Sequence, residues 1–353
     1  MKRYKIFVAV MLSVVTFLLS ACTNEKQNTE EQKAEKSMFA MNTFMTFQAY
    51  GEEAQTALEE TEDRITDLEN MWSVTRKGSD IYTANHSDGK EIMIQKETAD
   101  LISFALRMSE QTGGMLDLSI YPVLCAWGFT TDNKQIPSAD ELESLLENVD
   151  YRKIQLEGTS LVIPDGMQID LGAVGKGYAA DLVTEILKEH HVESALFSLG
   201  GNIQAVGSKP DGSSWQLGIR DPLSEGNIGI LQAEDCAVVT SGAYENYFVG
   251  EDGKNYGHIL NPKTGYPAEN DLLSVTIISS QGRLSDALST ALYVMGSEEA
   301  EDYWRNKDGF EMILITNENE VIVTEGIAEQ FVLGEGRTEK VTVLEKGWEN
   351  AEE

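Results

Sequence analysis

The second half of the chain consists of short apolar and β-branched runs, and this pattern restricts the folds open to it. Residues 195–199, 215–219, 237–240, 273–278, 312–316 and 321–323 are such runs, separated by Gly, Asn and Asp. Runs of this length and chemistry are predicted to be strands. Helical spacing is found elsewhere. Residues 52–71 carry Ala54, Ala57, Leu58, Ile65 and Leu68 among acids. Residues 98–111 repeat the spacing with Leu101, Ile102, Ala105 and Met108, and Gly113-Gly114 stops it. Two strand-like runs, 161–163 and 168–171, flank the turn Pro164-Asp165-Gly166 and lead into a helix over 178–190. Helices that do not follow every strand argue against a regular doubly wound sheet and predict an α+β fold.

The ends are of another kind. Lys2, Arg3 and Lys5 precede an apolar run over 6–19, which closes on Leu19-Ser20-Ala21-Cys22. This is the layout of an export signal, with the cut expected before Cys22. The run falls short of the roughly 20 residues that cross a bilayer. Leucine, two small residues and cysteine at the cut resemble the lipobox of bacterial lipoproteins. Cys22 is therefore expected to carry lipid and to hold the protein at the extracytoplasmic face of the cell membrane. Several acyl chains on one cysteine anchor firmly, because each buried CH₂ contributes about 0.8 kcal/mol. Residues 23–37 hold nothing apolar larger than alanine, so burial cannot offset the entropy of ordering them. The expected organisation is a signal over 1–21, a lipid-anchored flexible linker over 22–37, a folded domain over 38–344 and an acidic tail over 345–353.

Charge and cysteine count exclude some functions. The formal charge is −32, and taking away the three positive charges of the signal leaves −35. Such a chain repels nucleic acid. A local basic or metal-filled pocket can still receive phosphates, since bulk charge governs solubility rather than a site. Beyond Cys22 only Cys125 and Cys236 remain, too few for a cysteine-rich zinc site or a disulfide scaffold. One bridge between them and two free thiols are both compatible with the sequence.

Four stretches carry chemistry. In the first, Asp170-Leu171-Gly172-Ala173-Val174-Gly175-Lys176-Gly177-Tyr178 joins a strand to a helix through three glycines. Free amides at a helix start, with Lys176 as a point charge, suit a pyrophosphate. The spacing is neither that of a Walker loop nor that of a dinucleotide turn, and a purely structural turn is the alternative. In the second, Asp286, Ser289 and Thr290 stand at i, i+3 and i+4 of a helix and share one face. One carboxylate and two hydroxyls offer hard oxygen to Mg²⁺, or simply cap the helix. The third is a loop from Tyr256 to Pro267 that holds His258, one of four histidines, suited to proton transfer, hydrogen bonding or plain packing. The fourth, Gly113 to Pro122 followed by Ala126-Trp127-Gly128-Phe129, sets an acid and aromatics beside a flexible turn, to line a flat-ring pocket or to build core.

Taken in order, nine stretches resemble the ApbE family of FAD:protein FMN transferases. They are Met41-Asn42-Thr43-Phe44, Ser73 with Ser79-Asp80-Ile81, Met115-Leu116-Asp117 with Trp127-Gly128-Phe129, 170–181, 198–202, 218–222, Ser241-Gly242, 258–265 and 286–290. Asn42 stands where the family often has glycine, and Thr75 where relatives carry an aromatic residue. The resemblance implies a two-lobed fold of mixed, largely antiparallel sheets with packed helices. It also implies an enzyme that uses FAD as substrate and Mg²⁺ as cofactor, attaches FMN through a phosphoester to a threonine of a flavin-accepting redox protein subunit, and releases AMP. Carried over by position, Met41, Thr75, Met115, Leu116, Asp117, Asp170, Lys176 and Leu260 would contact FAD. The Ala173 carbonyl, Asp286, Ser289 and Thr290 would hold the metal. His258 or Asp286 would take the hydroxyl proton. The competing readings are an FAD pyrophosphatase giving FMN and AMP, and an FAD-binding lipoprotein without chemistry.

If Cys22 carries the anchor, Cys22→Ser moves the protein from the membrane fraction to the soluble extracytoplasmic fraction, which cell fractionation followed by immunoblotting measures.

Overall fold

The strand-rich second half builds one large sheet. The computed structural model describes residues 32–131 and 133–347. The signal, Cys22, most of the linker and the end of the tail lie outside the described residues. Among the described residues a nine-stranded sheet runs in chain order. Its strands are β1 (Lys33–Ala40), β2 (Thr43–Tyr50), β3 (Ser194–Leu199), β4 (Asn202–Val206), β5 (Cys236–Ser241), β6 (Leu272–Ser279), β7 (Glu311–Thr316), β8 (Glu320–Thr324) and β9 (Lys340–Leu344). Neighbouring strands pair antiparallel except β8 with β9, which are parallel. No helix among the described residues is long and apolar enough to cross a membrane.

The sheet separates two large hydrophobic cores. One face packs on α1 (Ala54–Trp72), α2 (Lys96–Gln111), α3 (Gly175–Glu189) and α4 (Gly282–Met295). Ile65, Leu68, Leu101, Val183, Leu288 and Val275 are fully buried there. The other face is covered by a three-stranded sheet formed by Trp215–Arg220, Asn227–Ala233 and Phe331–Leu333. Its Leu217 and Leu231 meet Ile313 and Val321 from β7 and β8. A third cluster, Val123, Trp127, Leu142 and Leu260, supports the histidine loop, and Trp127 Nε1 donates to the Gly265 carbonyl at 2.8 Å.

Two expectations are corrected. Residues 33–37, placed in the linker by composition, form most of β1, which pairs along its full length with β2. The hydrogen-bond ladder and the burial of Ala34 supply what the polar side chains do not. Residues 168–171 form no strand. Ile169 instead exchanges hydrogen bonds with the Asn85 amide, at 2.7 and 2.9 Å, and Asp170 N–H donates to the Leu118 carbonyl at 2.9 Å. Its backbone is thus satisfied by a side chain and a loop rather than by a neighbouring strand. Cys125 and Cys236 are both free thiols, the first exposed.

The β1–β2 hairpin closes on Met41 and Asn42, with Ala40 opposite Thr43. Both turn residues have positive φ, 49° and 59°, the conformation of a two-residue type I′ turn. Asparagine adopts this region more readily than most residues other than glycine, which suits Asn42 to the second turn position. Asn42→Val should destabilise the fold by about 1–3 kcal/mol while Asn42→Gly leaves it near wild type, and urea unfolding midpoints compare the two.

Candidate active site

One end of the sheet, together with the starts of α3 and α4, encloses a cavity of about 300 Å³. The β3–β4 turn contributes Gly200 and Asn202, the end of β5 contributes Val239, Thr240 and Ser241, and the Gly-rich segment contributes Gly172, Ala173 and Lys176. Of the residues singled out from sequence, Met115, Leu116, Asp117, Asp170, Ala173, Lys176, His258, Leu260, Asp286 and Thr290 all line it. Three do not. Met41 lies in the hairpin turn, where its N–H donates to Glu69 Oε1 at 3.2 Å. Thr75 is exposed and lies 3.2 Å from Ser73 Oγ. Ser289 is fully buried, donating to the Asp286 carbonyl at 3.0 Å and accepting from Ser241 Oγ at 2.9 Å.

The Gly-rich segment takes its shape from hydrogen bonds to Asp170 and Leu171. Gly172 N–H donates to Asp170 Oδ1 at 2.7 Å, and Gly175 N–H donates to the Leu171 carbonyl at 2.7 Å. Lys176 Nζ reaches back to the Gly172 carbonyl at 3.4 Å. Burial pushes the Asp170 carboxyl up, and the Lys176 charge opposes that shift. Burial likewise raises Asp117, whose oxygens accept from Ser119 N–H and Oγ and from Tyr151 N–H. Asp117 is thus largely spent on holding the loop that presents Met115 and Leu116.

The oxygen face lines the same cavity as Lys176. Asp286 is buried, and its Oδ2 accepts from Gly177 N–H at 2.8 Å. Gly177 lies in the first turn of α3, whose amides lack an intrahelical acceptor, so the carboxylate caps that helix. Thr290 Oγ1 lies 3.5 Å from Ser241 Oγ. Carboxylate, hydroxyl and carbonyl oxygen are the donors that suit Mg²⁺. Among the described residues no group of three or more His, Cys, Asp or Glu side chains surrounds a common point, so a softer all-side-chain metal site is not built here.

His258 is held by one carbonyl. Asn246 O accepts from His258 N–H at 3.0 Å and faces His258 Nδ1 at 3.1 Å. A carbonyl only accepts, so Nδ1 carries the ring proton and Nε2 keeps its lone pair. Burial pushes the pKa down to about 4, and the Lys176 and Lys134 charges act in the same direction. The ring is therefore neutral at pH 7 and able to accept a proton.

The site also contains groups that the sequence reading did not select. Asn202 is buried, and its Nδ2 has no hydrogen-bond partner among the described residues. An unpaired buried donor on a cavity wall is a place for a ligand acceptor. Asn202 was visible only as the last member of a glycine turn. Glu245, at the end of the short helix Ala243–Glu245, also lines the cavity, and nothing in its spacing marked it.

Comparison with known proteins agrees with this arrangement. The model of the ApbE family matches residues 41–314. The chain belongs to the ApbE family. It is similar to the FAD:protein FMN transferase of Treponema pallidum, 33% identical over 297 residues, covering 79% of this chain and 82% of that protein. The FAD:protein FMN transferase of Escherichia coli strain K12 is 27% identical over 335 residues, covering 90% and 95%. Among solved structures, the ApbE protein of Thermotoga maritima superposes with a TM-score of 0.80 at 30% identity, covering 85% of this chain and 99% of that one. The apo flavinyl transferase ApbE of Pseudomonas stutzeri superposes with a TM-score of 0.77 at 28% identity, covering 86% and 98%. The α+β sheet with packed helices is thus the architecture of ApbE flavin transferases.

The state of His258 can be checked directly. Its imidazole resonance should titrate near pH 4 by NMR, against an ordinary 6.5. The unfolded chain binds this proton below 6.5 while the folded chain refuses it down to about 4. The stability that His258 contributes is therefore complete above 6.5 and lost as pH falls through that window. A midpoint near 6.5 would show that the cavity leaves the ring freely hydrated.

Proposed function

We propose that this ApbE-family protein transfers FMN from FAD to a threonine of an acceptor protein, with AMP as the leaving group. The supporting observation is the meeting of Lys176, the oxygen face of Asp286 and Thr290, and a neutral His258 in one cavity. The names of the curated relatives support the same reading. FAD would lie along Met115, Leu116 and Leu260, with its pyrophosphate at the start of α3 beside Lys176 and the Asn202 amide. Asp286, Thr290 and the Ala173 carbonyl, backed by Ser289, would hold Mg²⁺. A divalent cation held there would neutralise charge on the pyrophosphate.

The threonine oxygen forms a bond to the FMN phosphorus as the bond from that phosphorus to AMP breaks. His258 Nε2 takes the hydroxyl proton. Asp286 has one oxygen committed to Gly177 N–H and is assigned to the metal, so it is not given this role. Holding the reacting groups together on this wall would account for much of the rate in phosphoryl transfer. The acceptor is a redox subunit on the outer side of the cell membrane, where lipid on Cys22 would confine the enzyme and raise its local concentration.

Purified protein incubated with FAD, Mg²⁺ and an acceptor subunit should yield a covalent fluorescent band and AMP. His258→Ala should slow the transfer by about 10²–10⁴-fold, and Asp286→Ala should remove its dependence on Mg²⁺. AMP without a labelled band would identify an FAD pyrophosphatase instead. FAD binding with no turnover at any Mg²⁺ concentration would identify a carrier.

A further inference from the structure

Neither α3 nor α4 caps its own first turn with a side chain: Val174 and Gln281 occupy the N-cap positions without a capping hydrogen bond. Each helix is capped by the other. Asp286 of α4 accepts from Gly177 N–H of α3 at 2.8 Å. Asp181 of α3 accepts from Gly282 N–H at 2.5 Å and from Arg283 N–H at 3.3 Å at the start of α4. The exchange requires two glycines. A Cβ on Gly177 would stand 2.3 Å from the Gly282 carbonyl oxygen, and one on Gly282 would stand 2.6 Å from the Gly177 carbonyl oxygen. Asp181 is itself fixed, paired with the Arg283 guanidinium, which lies over the Tyr178 ring at 4.3 Å. Tyr178 in turn meets Trp72 edge-on at 5.6 Å.

We infer that Asp181 is a positioning residue for the metal-binding face, setting the separation and rotation of α4 against α3 so that Asp286 and Thr290 face the cavity together. Asp181 is not among the residues lining the cavity and touches no reacting atom, so it acts only through α4. Two carboxylates at two helix starts also satisfy the positive ends of both dipoles. Removing the outer one leaves the first amides of α4 without acceptors and frees the helix to shift. The inference rests on the reading of Asp286 and Thr290 as metal ligands.

The test uses Asp181→Ala and Asp181→Asn, the latter keeping one acceptor oxygen without the charge. Titration calorimetry measures Mg²⁺ binding to FAD-loaded protein, flavin fluorescence measures FAD binding without metal, and a thermal melt reports the fold. Asp181→Ala should weaken Mg²⁺ binding about tenfold or more, the range for groups that orient a metal ligand. Metal-free FAD affinity should stay at the wild-type value, and Asp181→Asn should fall between the two. Wild-type Mg²⁺ affinity in Asp181→Ala overturns the inference. So does parallel loss of Mg²⁺ binding, metal-free FAD binding and melting temperature in both variants, which would make Asp181 a general support of the fold. If wild-type protein with FAD takes up no Mg²⁺ at all, the reading of the metal face itself fails, a result distinct from either.

Discussion

The crossing of α3 over α4 at Gly177 and Gly282 is the contact on which the site depends. Backbone meets backbone there with no room for a Cβ on either side. Two helix starts, each a concentration of unpaired amides and positive dipole, would normally repel at such range. The exchange of Asp181 and Asp286 turns the repulsion into mutual capping. One result is that Asp286, Thr290, Ala173 and Lys176 share a wall although more than a hundred residues separate the two motifs. A bulkier residue at either glycine would move α4 as a body, and the oxygen face with it.

The sheet explains where that crossing sits. Its strands follow chain order, so the topology is locally simple, and the complexity lies in what is inserted between β2 and β3. That insertion supplies α1, α2, the Met115–Asp117 loop and α3 before the chain returns to pair with β2. The β3–β4 turn and the end of β5 then close the cavity from the sheet side. A rigid sheet end and two buried helices fix the polar wall, while the apolar wall comes from loops held by Trp127 and its aromatic neighbours. Lys176 and Asp286 thus sit on long helices, and Met115, Leu116 and Leu260 on loops.

Much of this was legible because local pattern and global role coincide. The glycines at 172, 175 and 177 signal close approach whatever they approach, and the i, i+3, i+4 spacing of Asp286, Ser289 and Thr290 signals one helix face. Legibility failed where a long-range partner decided the outcome. Residues 168–171 look like a strand until Asn85, far away in sequence, takes their hydrogen bonds. Residues 33–37 look disordered until β2 pairs with them. Ser289 shows the same limit in finer detail. Its spacing puts it on the right face, but Ser241 from β5 engages its hydroxyl. Asn202 could not be selected, because nothing in a sequence shows which polar atom will be buried without a partner, and Glu245 could not, because only the fold brings its short helix to the cavity.

The charge on the cavity wall bears on what can occupy it. Asp117, Asp170, Glu245 and Asp286 all line the cavity, and Lys176 is the cationic side chain among the lining residues. A pyrophosphate entering such a wall adds negative charge to negative charge, and amides at a helix start supply only partial positive charge. Burial raises Asp117 and Asp170, which eases the repulsion without reversing it. His258 adds no positive charge before transfer, because the same burial keeps its resting ring neutral. The remaining source of positive charge is a bound cation, and the oxygen donors of Asp286, Thr290 and Ala173 are of the kind that holds one. The proposed metal is thus favoured by the electrostatics of the whole wall as well as by the donor set. On the proposed function, so acidic a protein would take a polyanionic substrate by balancing charge inside the cavity, where a bound dication outweighs the field of the outer surface.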